Sequence, residues 1–151
     1  MSEWTIAELV PHDPPALLLD EVIDADEEGL RARLMVRADG LYDEGGYVPA
    51  VLGIEYMAQA VAAFSGLRAK RRGAPVAVGF LLGTRRFTSS ASRFKCGETL
   101  TVSVHRELQN ADGMGSFSCE VSGDDVSQSA RLSVFEPQDD NWRPDADTSA
   151  V

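Results

Sequence analysis

Glu55 is the only carboxylate in the apolar stretch Pro49-Ala-Val-Leu-Gly-Ile-Glu-Tyr-Met-Ala-Gln-Ala-Val-Ala-Ala-Phe-Ser-Gly66. These small and apolar residues read as a helix, and an apolar helix in a globular chain is buried on most sides. Burying a carboxylate is unfavourable unless it is paired or used. Glu55 is therefore the first candidate for acid–base chemistry, expected to be buried near the helix start. A plainer reading stands beside it: in the first helical turn a negative charge complements the helix dipole. Position alone leaves both open.

Other groups suited to proton transfer are few. The chain has two histidines, His12 and His105. His105 sits in the alternating run Val102-Ser-Val-His-Arg-Glu107 and reads as a surface strand residue. Residues 39–46 form a Gly/Asp/Tyr-rich loop containing Tyr42, Asp43 and Glu44, with Tyr47 just beyond, and such loops often hold function on a rigid scaffold. Cys96 and Cys119 are too few for a disulfide framework and are spaced unlike a metal knuckle. They read as reduced, half-buried thiols of a cytoplasmic protein. No Gly-rich phosphate loop is present, so neither a cofactor nor a metal is expected.

The net charge of −10 argues against generic binding to nucleic acid or to an anionic membrane. Its distribution is uneven. Arg68, Lys70, Arg71, Arg72, Arg85, Arg86, Arg93 and Lys95 are 8 of the 14 basic residues, and no Asp or Glu lies among them. They read either as a solvated helix end plus a strand edge, or as a docking surface for an acidic partner.

The elements that must position these groups follow from periodicity. The 151 residues suit one domain, with 44% hydrophobic content consistent with a real core. No apolar run approaches the roughly 20 residues that span a bilayer, and the N-terminus has no signal-peptide pattern. Residues 5–9 predict a helical turn, 16–23 a short buried strand or its approach, and 30–36 an alternating strand that pairs back on it. The helix is predicted over 50–71, with Pro49 near its start and Gly73 beyond its end. Ala58, Ala62, Ala63 and Gly66 keep it slim enough for close packing. Four strands are predicted over 76–87, 99–108, 116–122 and 128–135. The domain thus covers 1–136, and the acidic tail 137–151 is expected to be disordered. Two strands, one helix and four strands give an α+β protein; the pattern suits an antiparallel sheet curling around one long helix, and pattern alone leaves another α+β sandwich open.

Several motifs then resemble one family. Val10-Pro-His-Asp-Pro-Pro-Ala-Leu-Leu-Leu-Asp-Glu-Val22 is similar to the "PHRYPFLLVDRV" signature of hotdog-fold β-hydroxyacyl-acyl-carrier-protein dehydratases. Pro49-Ala-Val-Leu-Gly-Ile-Glu-Tyr-Met-Ala-Gln59 resembles their "PGVLxxEAMAQ" helix start, and Arg86-Phe87 with Cys96-Gly-Glu-Thr-Leu100 their "RF…PGDxL" segment. The variant Gly53-Ile-Glu-Tyr-Met-Ala-Gln-Ala60, with Gly79-Phe-Leu-Leu-Gly83, looks most like a dehydratase-like subfamily of aryl-polyene biosynthesis clusters. The resemblance implies a dimeric hotdog that eliminates water from a 3-hydroxyacyl thioester on an acyl carrier protein, in polyene or fatty-acid biosynthesis. It implies that Glu55 is the acid that protonates the leaving hydroxyl. Backbone N–H groups near Ala50 and Val51 would polarise the thioester carbonyl, with Tyr47 and Gln59 beside the substrate. Arg68, Arg71, Arg72, Arg85, Arg86, Arg93 and Lys95 would dock the carrier.

One position departs from the pattern. The family's catalytic histidine lies in "GHFPG", fourteen residues before the glutamate, and that position here is Leu41. Leucine cannot accept a proton. His12 matches the "PHR" histidine, whose plainer reading is a structural residue satisfied by backbone groups. Three functions compete. In a dehydratase with a re-sourced base, His12, Tyr42, Asp43, Glu44 or Tyr47 takes the proton. In a partner subunit, a histidine-bearing hotdog completes a site with Glu55 across a heterodimer. In an acyl-thioester hydrolase, the helix carboxylate activates water and no histidine at position 41 is needed.

Overall fold

The computed structural model describes residues 4–12, 16–38, 42–76 and 79–136. Leu41 and the acidic tail 137–151 lie outside the described residues.

Short helix α1 (Ile6–Leu9) is followed by strands β1 (Glu21–Ala25) and β2 (Gly29–Met35), the short β3 (Tyr47–Pro49) and the long helix α2 (Leu52–Arg71). After the helix come β4 (Phe80–Ser89), β5 (Arg93–Lys95), β6 (Thr99–Gln109), β7 (Met114–Ser122) and β8 (Ser127–Phe135). Six strands form one antiparallel sheet in the order β1-β2-β6-β7-β8-β4, while β3 and β5 make a separate ribbon. The α+β arrangement expected from the element order is thus observed.

Period-2 patterning places the core. One row across the sheet runs Leu30, Val104, Cys119 and Ala130, and the next runs Ala32, Val102, Val121 and Gln128. All eight are buried. This inner face packs on α2, which contacts β2, β6, β7 and β8. The helix is apolar on most sides because it is covered twice. Its other flank lies under the N-terminal segment, where Leu9, Leu17, Leu18 and Leu19 are buried. Gly66 makes that crossing possible: a Cβ there would come within 1.8 Å of the Leu9 carbonyl oxygen.

The second cover explains one point that the sequence reading left open. Residues 16–23 read as a strand or its approach; 16–20 are the approach, and β1 starts at Glu21. The Leu18 N–H instead donates to the Gln59 side chain at 2.8 Å, and Arg37 holds the Leu17 carbonyl. The ribbon of β3 and β5 was not foreseen, because three residues carry no readable period. The turn that leads into β3 has a chemical signature, since Gly45 and Gly46 take φ of +60° and +89° between Glu44 and Tyr47, which bridge each other. Those values suit the two-residue hairpin turn that favours glycine pairs. Edge strand β4 carries a bulge between Arg85 and Thr88, at which Arg86 adopts φ +54°.

Candidate active site

Helix α2 ends in a well-capped turn, but its start leaves amide donors free. Ala50 N–H donates to the Ser92 carbonyl at 3.0 Å, and Gly53 N–H and Ile54 N–H turn back to Ala50 and Val51. The N–H groups of Val51 and Leu52 have no acceptor among the described residues. Such orphan donors at a helix start carry partial positive charge. Both residues line an open cleft of about 750 Å³ together with Tyr42, Asp43, Glu44, Pro49, Ile54 and Glu55.

Glu55 projects from the first turn of α2 into this cleft, its side chain 40% exposed in the single chain rather than buried as expected. Its neighbours are polar, which makes the exposure tolerable. Gln59, one turn on and fully buried, donates to Glu55 Oε1 at 3.0 Å. The same Gln59 amide donates to the Ala16 carbonyl at 2.8 Å and accepts from Leu18 N–H. Gln59 thus ties the helix to the N-terminal segment and orients the carboxylate, and burial keeps it off the cleft wall where a substrate contact was expected.

The N-terminal segment brings a second group. His12 Nε2 lies 3.8 Å from Glu55 Oε1, and the His12 side chain is only 13% exposed. Its Nδ1 is buried without a hydrogen-bond partner among the described residues. The reading of His12 as a structural residue satisfied by backbone groups does not fit this environment. His105 is exposed on β6, as its strand pattern predicts.

The remaining predicted residues divide. Val51 lines the cleft, whereas Ala50 is 6% exposed with its N–H engaged by Ser92, so the free pair of amides is Val51 and Leu52 rather than Ala50 and Val51. Tyr47 stacks under the Arg93 guanidinium, 3.7 Å from the ring centre. It faces a neighbouring cleft of about 760 Å³ shared with Lys95, Glu98, Asp124 and Asp125.

The basic residues also separate. Arg68, Lys70, Arg71 and Arg72 occupy the far end of α2, about 20–25 Å along the axis from Glu55 at 1.5 Å per residue. There Arg68 lies over the Phe64 ring and donates to Gln109. Burial, then the nearby Arg106 and Arg72, push its guanidinium pKa down. Arg93 and Lys95 sit on β5 beside β3, whose Pro49 borders the Glu55 cleft.

Sequence reasoning missed Gln128. It is 3% exposed, and its Nε2 donates to the Ala50 carbonyl at 2.7 Å and to Ser89 Oγ at 3.0 Å. The signal was available. In Gln128-Ser-Ala-Arg-Leu-Ser-Val134 a polar residue falls on the apolar phase of an alternating strand.

A carboxylate and two helix-start amides border one cleft, with a histidine 3.8 Å from the carboxylate, and groups of these kinds can exchange a proton and stabilise an oxyanion. Residues 4–143 match the ApeP-like family (ApeP dehydratase). The chain belongs to the ApeP-like dehydratase family. Among solved structures, it is similar to a chain of the dehydratase heterocomplex ApeI:P from Xenorhabdus doucetiae, at 29% identity and a TM-score of 0.83, covering 91% of this chain and 93% of that one. Cj0977, a sigma28-regulated virulence protein from Campylobacter jejuni, shares 15% identity at a TM-score of 0.64 over 91% and 98% of the two chains. The Escherichia coli PaaI protein of the phenylacetic acid degradation operon shares 13% identity at 0.57 over 77% and 78%. These two speak for the fold alone. No curated protein matches the sequence. The fold of this ApeP-like chain is the hotdog, with the sheet wrapped on α2. Among the described residues no helix is long and apolar enough to cross a membrane, and no group of three or more His, Cys, Asp and Glu is placed to hold a metal ion.

Proposed function

We propose that this ApeP-like chain is a subunit of a 3-hydroxyacyl-acyl-carrier-protein dehydratase, acting in polyene or fatty-acid synthesis. A histidine-bearing second hotdog would complete its site across a heterodimer. The observation that carries the reading is Glu55 at the cleft beside the two unpaired N–H groups of Val51 and Leu52. The thioester carbonyl of a 3-hydroxyacyl group accepts from those amides, which favours the enolate formed when a base removes the α-proton. The enolate's electron pair then forms the C2–C3 double bond as the C3–O bond breaks with its pair on oxygen, and Glu55 in its acid form protonates the departing hydroxyl as water. Proton return from base to Glu55 restores the site.

The sequence carries Leu41 at the position that the resemblance to the β-hydroxyacyl dehydratases would give to their histidine base. Support for a heterodimer comes from the similarity to a chain of the ApeI:P heterocomplex. Edge strand β4, ten residues long and carrying Leu82 at 52% exposure, offers backbone groups for pairing with such a partner. A second reading rests on His12, whose approach to Glu55 supplies a base within the chain. Arg93 and Lys95, beside the cleft-lining Pro49, are the basic residues best placed to meet the acidic carrier.

The test is turnover of a 3-hydroxyacyl carrier protein by the purified chain alone and after mixing with a histidine-bearing hotdog paralogue. Feeble activity alone and a rise of at least about 10²-fold on mixing, typical of supplying a general base, supports the partner reading. Brisk turnover alone that His12→Ala removes favours the self-sufficient enzyme. Hydrolysis of the thioester without elimination overturns both in favour of a thioesterase.

A further inference from the structure

Resting on that reading, we propose that Gln128 is a positioning residue that aims and polarises the Val51 N–H, and that Gly53 is glycine to give Gln128 room. Gln128 belongs to the inward row of the sheet, between apolar Val121 on β7 and Ser89 at the end of β4. Its carboxamide orientation is forced. The nitrogen faces the Ala50 carbonyl at 2.7 Å, and exchanging it for the oxygen would set two acceptors against each other. Oε1 consequently ends buried with no partner. It lies against Gly53, where a Cβ would fall 1.7 Å from it. An unpaired buried carbonyl costs free energy that an apolar side chain of the same shape would not. The arrangement therefore implies a gain from what the nitrogen holds.

What it holds is one peptide plane. A trans peptide is planar, so the Ala50 carbonyl and the Val51 N–H point in opposite directions. The Ala50 carbonyl accepts from Gln128 as well as from Gly53 N–H, and with Ala50 N–H fixed on Ser92 the Val51 N–H points away from the β8 side. Val51 borders the Glu55 cleft. A donor on a peptide carbonyl also polarises that peptide, which strengthens its N–H as a donor. Gln128 is thus the next link behind the proposed oxyanion contact. Its second bond, to Ser89 Oγ, ties the same turn to the end of edge strand β4.

The test uses the full-length chain and the Gln128→Met variant, which keeps length and burial but loses both donors. Amide NMR of the Val51 and Leu52 signals is recorded with and without crotonyl-pantetheine. In the native chain the probe should move both signals. In the variant the free Val51 proton signal should already lie upfield, and its response to the probe should shrink severalfold while Leu52 still responds. Assayed with the histidine-bearing partner, kcat should fall roughly 10-fold with KM within about twofold, less than the about 10²-fold for outright loss of an oxyanion donor. A variant that melts lower but keeps an unchanged Val51 signal and kcat makes Gln128 a packing residue and overturns the proposal. If the probe leaves both amides of the native chain unmoved, the functional reading fails instead. Should Gln128→Met not fold, Gln128→Asn, one methylene too short for Ala50, is read by the same signals.

Discussion

His12 Nε2 stands 3.8 Å from Glu55 Oε1, brought there by a chain segment that Gln59 fastens to the same helix. Gln59 bonds Glu55 directly and, through Ala16 and Leu18, the segment that carries His12. The His12 ring also keeps a buried Nδ1 with no hydrogen-bond partner among the described residues.

Glu55→Gln keeps the Gln59-side geometry but removes the proton donor. With a histidine-bearing partner present, dehydration should fall by about 10²-fold or more. In the same assay His12→Asn should cost less than Glu55→Gln, because the partner supplies the base and His12 only tunes the carboxylate's surroundings. Steady-state kinetics on 3-hydroxyacyl carrier protein decides; equal losses from both substitutions would make His12 part of the proton path.

Charge reversal should separate the two basic groups. Arg93→Glu with Lys95→Glu should weaken carrier binding severalfold and flatten its salt dependence. Arg71→Glu with Arg72→Glu, at the exposed far end of α2, should change it little. Binding titrations at low and moderate salt give the answer, with a pantetheine thioester as the control substrate that neither pair affects.

Burial pushes the Cys119 thiol pKa up to about 12. Native protein should therefore let a maleimide reach Cys96, which is part-exposed, while Cys119 reacts only after denaturation. The sign of the pH effect follows from the same shift. Below about 9, the ordinary thiol value, both folded and unfolded chains keep the proton. Between about 9 and about 12 only the folded chain keeps it, so folding stability falls as pH rises through that window. Urea melts at pH 9 and 10.5 should show this slope reduced in Cys119→Ala.

Gly66 lies under the Leu9 carbonyl, and any β-carbon there forces the N-terminal segment off the helix. Gly66→Ala should lower stability by about 1–3 kcal/mol as an overpacked contact, measured by chemical denaturation. Because that segment carries His12 and the backbone held by Gln59, activity should fall with it, whereas Gly73→Ala beyond the helix end should leave turnover intact.

Much of this protein was legible in the order of its residues. Helix α2 was located to within two residues by its apolar run and by Gly73, which takes φ +72° just past the last turn. The alternation in β2, β6, β7 and β8 gave the inner face of the sheet, and the motifs around Pro11, Glu55 and Gly97 gave the family. These signals are local, since they depend on residues within a turn or a pleat of one another. The working surroundings of Glu55 are not. Gln59 reaches Leu18 across 41 positions and Gln128 reaches Ala50 across 78. Whether the Ala50 or the Leu52 amide stays free depends on Ser92 arriving beside residue 50, which no periodicity encodes. Tertiary structure decided these points, because the buried donors and acceptors are paired only when the N-terminal segment crosses α2 and β8 closes against its start.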